Sequence, residues 1–272
     1  MIILYGRGEW MKVRDAVVAG AFYPADKEEL KTMVKQFIAA APLLQIPCIT
    51  TIIAPHAGYI YSGLVAGYSY RQLDNLDKSK HWTIFLIGPS HYSYFKGVSA
   101  GLFDVYKTPL GIVNVSKTTK KLLSKEDFHF ILEAHLEEHS LEVQLPFLQV
   151  ALPHFEIVPI ITGDVSPNYL GTVLINYAPE NSIFLVSSDL SHYHSYETAR
   201  DIDSHCNDAV EKLSLKELAI CEACGKVGIA TAIYLAKKNK WKSKVLHYAT
   251  SGDVAGSKAQ VVGYGAYVFY KG

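Results

Sequence analysis

Short apolar runs alternate with amphipathic stretches along most of this chain. Three runs, at residues 49–54, 82–87 and 182–187, carry no charged side chain and are rich in isoleucine, valine, phenylalanine and threonine. Such runs are typical of strands that are buried on both faces of a parallel sheet. Less regular patterns of the same kind predict further strands at 98–102, 112–115, 157–161, 244–248 and 260–270.

Stretches with helical periodicity separate these strands. Asp26 is expected to cap a helix over 27–40, since an aspartate side chain can accept hydrogen bonds from the first helical turn. Ser140 is interpreted as the N-cap of a helix that runs to residue 151. Further helices are predicted at 63–73, 169–177, 197–213, 215–221 and 227–237. Pro159 has no N–H to donate, which favours an edge or an irregular position for its strand.

The alternation of strands and helices predicts an α/β fold with a central, mostly parallel or mixed sheet that is flanked by helices. No linker-like composition divides the 272 residues, so a single domain over residues 1–272 is expected. Residues 1–10 are interpreted as a candidate N-terminal extension, with Met11 as a candidate natural start.

Composition narrows the classes of function. The formal net charge is 0, so no basic field predicts binding to nucleic acid. No apolar stretch approaches the roughly 18–20 residues that span a membrane, and Arg7 and Glu9 interrupt the only candidate secretion signal. Four cysteines without such a signal fit a reducing cytoplasm better than a disulfide framework. We therefore expect a cytoplasmic protein without disulfides.

The candidate chemistry lies where the three buried strands end. Each run is followed at once by a small or proline-rich turn and then by a histidine, namely His56, His91 and His192. In an open α/β sheet, ligands bind at the carboxyl ends of the strands, so these histidines are expected to converge. Imidazole is the commonest metal ligand and general base. The sequence thus predicts an enzyme-type metal site.

Two carboxylate–histidine segments extend this prediction. Asp189 precedes His192 by three residues and is interpreted as a metal ligand or as a residue that orients His192. The alternative is that Asp189 caps the following helix. Glu138 and His139 stand near the predicted start of a helix, where the dipole disfavours an imidazolium. A buried His139 would therefore be neutral and could line the pocket, or it could serve the helix start alone.

The pair Cys221 and Cys224 has the spacing of a redox or zinc half-site. No second pair completes a zinc site, and the motif lies between two predicted helices rather than after a strand. Structural packing and a role in lining the pocket both remain open. Tyrosines follow each histidine turn and could contact a substrate or simply pack.

Several of these segments together resemble the Memo family. They lie in the family order and cover the chain from about Val13 to Tyr270. The matching segments are Gly20-Ala21-Phe22-Tyr23-Pro24, Ala54-Pro55-His56-Ala57-Gly58-Tyr59, Gly88-Pro89-Ser90-His91, Glu138-His139-Ser140-Leu141-Glu142-Val143-Gln144-Leu145-Pro146, Ser187-Ser188-Asp189-Leu190-Ser191-His192 and Cys224-Gly225.

The resemblance implies a fold similar to that of class III extradiol dioxygenases, the non-haem iron enzymes that open catechol rings. By that resemblance His56 and His91 match the metal-binding histidines, His192 looks like the acid/base histidine, and Asp189 and His139 line the same pocket. The third ligand is expected late in the chain, near 251–254, where Asp253 is a candidate alongside Asp189. No cysteine follows Cys224, which departs from the pattern of eukaryotic members.

Three functions follow as expectations. The first is a non-haem iron oxygenase or redox enzyme with Fe(II), or with copper, and an unknown small-molecule substrate. The second is a zinc-dependent hydrolase or transferase on the same residues. The third is a regulatory protein that binds a metal or ligand without turnover. By resemblance, pathway partners would include a radical-SAM protein and a protein of the AMMECR family, and a homo-oligomer is also considered.

Overall fold

A mixed β-sheet with helices on both faces organises the chain. The computed structural model describes residues 2–5 and 9–272. Its strands are β1 (Ile2–Tyr5), β2 (Glu9–Arg14), β3 (Ile49–Ala54), β4 (Trp82–Pro89), β5 (Val98–Ala100), β6 (Val105–Thr108), β7 (Gly111–Asn114), β8 (Phe128–His129), β9 (Phe155–Thr162), β10 (Ser182–Ser187), β11 (His192–His194), β12 (Trp241–Thr250) and β13 (Val261–Lys271). Its α-helices are α1 (Lys27–Ala40), α2 (Tyr59–Arg71), α3 (Thr118–Leu122), α4 (Leu132–Leu136), α5 (Leu145–Ala151), α6 (Pro167–Tyr177), α7 (Tyr196–Glu211), α8 (Leu215–Ile220), α9 (Lys226–Asn239) and α10 (Ser251–Ala255).

Four neighbouring strands of the main sheet run parallel in the order β3, β10, β4 and β9. The antiparallel strand β13 pairs with the free side of β3 and also carries β11 and β12. On the other side β5 pairs antiparallel to β9, and β8 pairs with β5. Because the register aligns Ser187 with Ala54, the segments that follow β3 and β10 leave the sheet at the same edge.

The three charge-free runs are buried on both faces of the sheet, as their composition predicts. Leu86 and Leu185 contact the apolar cluster that includes residues of α1, α2 and α5. Their neighbours Ile87 and Val186 contact the opposite cluster, which includes residues of α6, α7 and α9. Burial of each such side chain stabilises the fold by roughly 1.5–3 kcal/mol.

The prediction of an α/β fold with a mixed sheet is confirmed. The predicted bounds of two buried strands, 49–54 and 182–187, and of the helix over 27–40 agree with β3, β10 and α1. Asp26 caps α1 as predicted, because its Oδ1 accepts hydrogen bonds from the backbone N–H groups of Glu28 (3.0 Å) and Glu29 (2.9 Å).

One local prediction is confirmed in part and another is wrong. The strand β9 does not lie at an edge, since it pairs with β4 along its length and with β5 at residues 160–162. The β5 ladder ends just before Pro159, so the proline does lie at an irregular position, where pairing on that side stops and no N–H donor is needed. The segment 140–151 is not one helix. Ser140 donates its hydroxyl to Pro89 O (3.1 Å) instead of capping, and α5 starts only at Leu145 after a 3₁₀ turn.

A small second sheet has the strand order β1, β2, β6 and β7. Residues 2–5 pair with residues 9–12 in it. Of the predicted extension over residues 1–10, residues 1 and 6–8 lie outside the described residues. None of the helices in the described part of the chain is long and apolar enough to cross a membrane.

The expectation of a chain without disulfides is wrong. Cys206 of α7 and Cys221, which follows α8, form a disulfide bond, and the two residues are 15 positions apart in the sequence. Cys48 and Cys224 are free. The spacing of Cys221 and Cys224 suggests that these two cysteines act as a pair. Cys221 is instead bonded to Cys206 of the neighbouring helix α7.

Candidate metal centre

Three histidines from different segments pack together at the carboxyl edge of the sheet. His56 follows β3, His91 follows β4, and His139 lies in the loop between α4 and α5. The ring centroids of His56 and His91 are 5.2 Å apart, those of His56 and His139 are 5.5 Å apart, and the His91 and His139 rings stack at 4.6 Å. The parallel strands therefore bring together imidazoles that are 35 to 83 residues apart in the printed sequence.

A hydrogen-bond network fixes the tautomer of His56. Ser187 Oγ lies 2.8 Å from His56 Nδ1, donates its proton to Ser140 O at 2.6 Å, and accepts from Gln144 Nε2 at 2.8 Å. Because the hydroxyl proton is already used, His56 Nδ1 must be the donor to Ser187. Nε2 then carries a free lone pair. Burial, reinforced by the nearby charges of His91 and His139, holds the pKa of His56 well below its usual value, so the ring is neutral.

Glu138 orients His91 in a comparable way. Its Oε1 lies 2.8 Å from His91 Nδ1, and its two oxygens also accept from the backbone N–H groups of His91 (2.7 Å) and Ser140 (2.9 Å). Burial alone would raise the pKa of Glu138, but the hydrogen bonds and charge of His91 outweigh it and lower that pKa to about 2. The anionic carboxylate makes His91 Nδ1 the donor, and although burial opposes it, the hydrogen bond and charge of Glu138 raise the pKa of His91. A metal ion would therefore bind His91 at Nε2 in place of a proton.

The third donor at this edge is Cys224, which lies between α8 and α9. Its Sγ is 3.3 Å from His56 Nε2 and accepts a hydrogen bond from the backbone N–H of Asp189 at 3.2 Å. The ligand atoms of His56, His91 and Cys224 all lie within 4.8 Å of one another. Burial raises the pKa of the Cys224 thiol to about 12, and a bound cation would displace its proton. Two imidazole nitrogens and one thiolate suit a transition metal.

His139 contributes a different kind of group. Burial lowers its pKa, so the ring is neutral, as expected from the sequence, although the cause is desolvation and not a helix start. Its Nδ1 is buried and has no hydrogen-bond partner among the described residues. Glu138 Oε1 lies 3.7 Å away, and His91, Glu138 and His139 form a second group with metal-ligating atoms. Since Glu138 already binds His91 Nδ1 and two backbone N–H groups, this second group is the poorer candidate.

Asp189 and His192 lie beside the three donors. Asp189 Oδ1 accepts from the backbone N–H groups of His56 (2.7 Å) and Ala57 (3.3 Å), so it fixes the turn that carries His56. Burial raises the pKa of Asp189, with those hydrogen bonds opposing the shift. The charge of His192 lowers the pKa of both Asp189 and His56, so His192 lies near this cluster. The helix α7 is capped by Ser195 and not by Asp189.

The other expected carboxylate, Asp253, is used elsewhere. Its Oδ2 accepts from the backbone N–H (2.7 Å) and hydroxyl (2.9 Å) of Thr250 in a capping box at α10, and its Oδ1 accepts from Tyr196 at 2.7 Å. Within residues 2–5 and 9–272, the groups of three or more metal-ligating atoms include neither Asp189 nor Asp253. Sequence reasoning missed Cys224 as a donor, although Cys224-Gly225 was among the segments that resemble the family.

An open cavity of about 450 Å³ has Cys224 in its wall. Several polar groups line it beside Cys224, including Ser90, Ser93, Thr162 and Asp164. A small molecule in this cavity would therefore lie against the Cys224 side of the cluster. Tyr92 and Tyr193, which follow His91 and His192, are 57% and 71% exposed.

Comparison with known proteins identifies the family of this chain. The model of the family described as Memo-like protein matches residues 14–268. A MEMO1 family protein of Aquifex aeolicus is 37% identical over 275 residues, covering 95% of this chain and all of the relative. A MEMO1 family protein of Sulfolobus acidocaldarius is 36% identical over 278 residues, covering 93% of this chain and 97% of the relative. One from Nitrosopumilus maritimus is 35% identical over 277 residues, with 94% and 99% covered. The chain belongs to the Memo family.

Proposed function

We propose that this chain is a metal-dependent redox enzyme of the oxygenase type that acts on a small molecule. His56, His91 and Cys224 hold the metal ion, and Asp189, His139 and His192 move protons beside it. The single observation that carries this proposal is the convergence of the His56 and His91 imidazoles on the Cys224 thiol, with one ligand atom of each residue within 4.8 Å of the others.

The donor set fits a redox-active first-row metal. Imidazole nitrogens suit iron, copper and zinc alike, and a thiolate adds a soft, electron-rich ligand. The set differs from the two histidines and one carboxylate expected from the dioxygenases, because a thiolate replaces the carboxylate. Fe(II) is the first metal to test and copper is the second. When bound, such a metal would bring the substrate and dioxygen together and exchange electrons between them.

The chain's own residues would bind the substrate and handle its proton. Burial raises the pKa of Asp189, so this carboxyl group can exchange a proton closer to neutral pH than an exposed aspartate. His139 Nδ1 is a buried atom without a partner among the described residues, and it can hydrogen-bond a substrate hydroxyl. His192 is partly exposed, so it can pass the proton to solvent.

A second candidate function is a zinc-dependent hydrolase, and the thiolate is the observation that favours it. Catalytic zinc sites keep three protein ligands of the histidine and cysteine type and leave a position for water. Zinc lowers the pKa of that water to about 7, and Asp189 would then accept its proton.

An oxygen electrode separates the two candidates. The protein is purified without chelator and without air and is loaded with Fe(II), Cu(II) or Zn(II). Each form is supplied with a panel of catechols and other phenols, and separately with ester and phosphate substrates. We expect metal-dependent oxygen uptake that Asp189→Asn lowers by about 10²- to 10⁴-fold, as loss of a general acid–base does, while bound metal stays unchanged. Turnover of ester or phosphate substrates by the zinc form, with no oxygen uptake by any form, would favour the hydrolase. If the protein binds none of these metals, both enzyme candidates are excluded and a regulatory binding protein is favoured.

A further inference from the structure

The donor Cys224 belongs to a short connection, residues 221–225, which is here called the ligand segment. It joins α8 to α9, and it begins at Cys221. The Cys206–Cys221 disulfide links the start of this segment to α7, and both cysteines are buried at 1% exposure. A metal ligand therefore lies three residues from a covalent link to a neighbouring helix.

Outside the disulfide, the ligand segment is held by hydrogen bonds and by the packing of Cys221 and Ala223 in the apolar cluster of α6, α7 and α9. The backbone N–H of Cys224 donates to Asp189 O at 3.3 Å, and that of Gly225 donates to Ser188 Oγ at 2.9 Å. Glu222 and His194 pair at 2.9 Å on the surface, where such pairs contribute little. The disulfide is thus the one covalent restraint on the position of the Cys224 sulfur beyond the chain itself.

The helix α7 supports both sides of the metal centre. One turn before Cys206, the buried Asp203 accepts a hydrogen bond from the backbone N–H of Ser191 at 2.9 Å, which fixes the turn between Asp189 and His192. Cys206 fixes the ligand segment from the same helix. Because one rigid element positions both segments, the spacing between Cys224 and the histidines depends on the link between Cys206 and Cys221.

We propose that the Cys206–Cys221 disulfide is a thiol-sensitive control of metal retention at His56, His91 and Cys224. The inference rests on the proposed metal centre. A small dithiol reductant, which reaches the buried bond when α8 and the ligand segment open locally, supplies two electrons and two protons. The S–S bond breaks, two S–H bonds form, and the reductant becomes a disulfide. The ligand segment is then held only by hydrogen bonds and packing, without a covalent link to α7. The donor set is less well pre-organised, and the metal is bound more weakly.

Co²⁺ is a suitable probe, because a cobalt–thiolate bond gives a charge-transfer band in the near ultraviolet that reports Cys224 directly. Air-oxidised protein, protein reduced with dithiothreitol and desalted without air, and the C206S/C221S variant are titrated in parallel. We expect the reduced protein and the variant to bind Co²⁺ about 10- to 100-fold more weakly than the oxidised protein, as disturbed support of a metal ligand does elsewhere. Reoxidation should restore the affinity.

C48S is the matched control, because Cys48 is free and exposed, and this variant should bind Co²⁺ like the unchanged protein. Circular dichroism checks that C206S/C221S is folded, and the chemically reduced protein gives the same comparison if it is not. Equal affinities in the oxidised and reduced forms overturn the inference, as do four alkylatable thiols in the air-oxidised protein. Absence of the thiolate band in every form overturns the proposed metal centre itself.

Discussion

Two buried glutamates from one short segment have opposite surroundings. Glu142 accepts hydrogen bonds from the Arg14 guanidinium, from the backbone N–H groups of Val17 and Val18 (3.0 Å each to Oε1), and from the Tyr23 hydroxyl at 2.6 Å. Every donor in this set belongs to the protein, and the group is closed to solvent. Glu138, four residues earlier, binds His91 at Nδ1, so the other ring nitrogen of His91 faces a ligand instead of the protein's own network.

The different surroundings of Glu142 and Glu138 indicate a structural role for the first and a functional role for the second. A buried charge that is fully paired by its own chain stabilises one arrangement of the backbone and offers nothing to a ligand. A buried cluster costs stability when a polar atom such as His139 Nδ1 has no hydrogen-bond partner among the described residues, unless a ligand binds there. The Arg14 region is therefore interpreted as structural, and the histidine cluster as the functional site.

The largest expected effect on stability comes from removing the Arg14 guanidinium from the buried network around Glu142. Arg14→Met leaves the buried Glu142 carboxylate without its ion pair, and it removes donors to His135 O (3.0 Å) and Glu138 O (2.6 Å). We expect the free energy of unfolding to fall by about 3–5 kcal/mol. Urea denaturation measures this change. The surface variant Lys212→Met, which breaks the exposed pair with Asp208, should change it by less than about 1 kcal/mol.

Acid should destabilise the folded protein through the buried His135, whose backbone carbonyl accepts a hydrogen bond from Arg14. Burial, reinforced by the charge of Arg14, lowers the pKa of this histidine to about 3 in the folded protein, against 6.5 in the unfolded chain. The unfolded chain binds the extra proton, so the stability contribution of neutral His135 is complete above about pH 6.5 and is lost as the pH falls toward 3.

Between pH 6.5 and about pH 4 this loss amounts to roughly 3 kcal/mol. Denaturation of metal-free protein across this range measures it. His135→Gln should flatten the pH dependence by a comparable amount. An unchanged slope in that variant would mean that His135 is not the group responsible.

In the histidine cluster, Glu138→Gln should weaken metal binding and leave the fold in place. The amide keeps the shape of the side chain but no longer fixes His91 as the N–H donor at Nδ1, so His91 Nε2 is a poorer ligand. We expect the Co²⁺ affinity to fall by about 10- to 100-fold. Glu137→Gln is the control, since the neighbouring Glu137 is exposed. Equal losses in both variants would contradict the role given to Glu138.

The smallest effect is expected for Ser187→Ala. This change removes the acceptor of His56 Nδ1–H, although Gln144 still keeps its bond to Pro55 O at 2.9 Å. Water can replace the small hydroxyl, so we expect a loss of metal affinity near the lower end of the same range, about 10-fold. Thermal denaturation with and without metal would show whether the change acts on the site or on the fold.

The sequence predicts correctly which strands carry the site. Charge-free runs indicate strands that are buried on both faces, and a histidine just after such a run lies at the carboxyl end of its strand. His56 and His91 meet for this reason. Helix starts were harder, since Ser140 resembles a cap but donates to Pro89 instead. Cys224 and the Cys206–Cys221 bond depend on how α7, α8 and α9 pack, and the spacing of cysteines along the chain does not report that.

The most direct test is the metal content of three proteins purified without chelator and without air. The account predicts one metal ion per chain in the unchanged protein, none in Cys224→Ala, and one in Asp253→Asn, since Asp253 caps α10 away from the histidines. Metal retained in Cys224→Ala but lost in Asp253→Asn would contradict the assignment of His56, His91 and Cys224 as the metal centre.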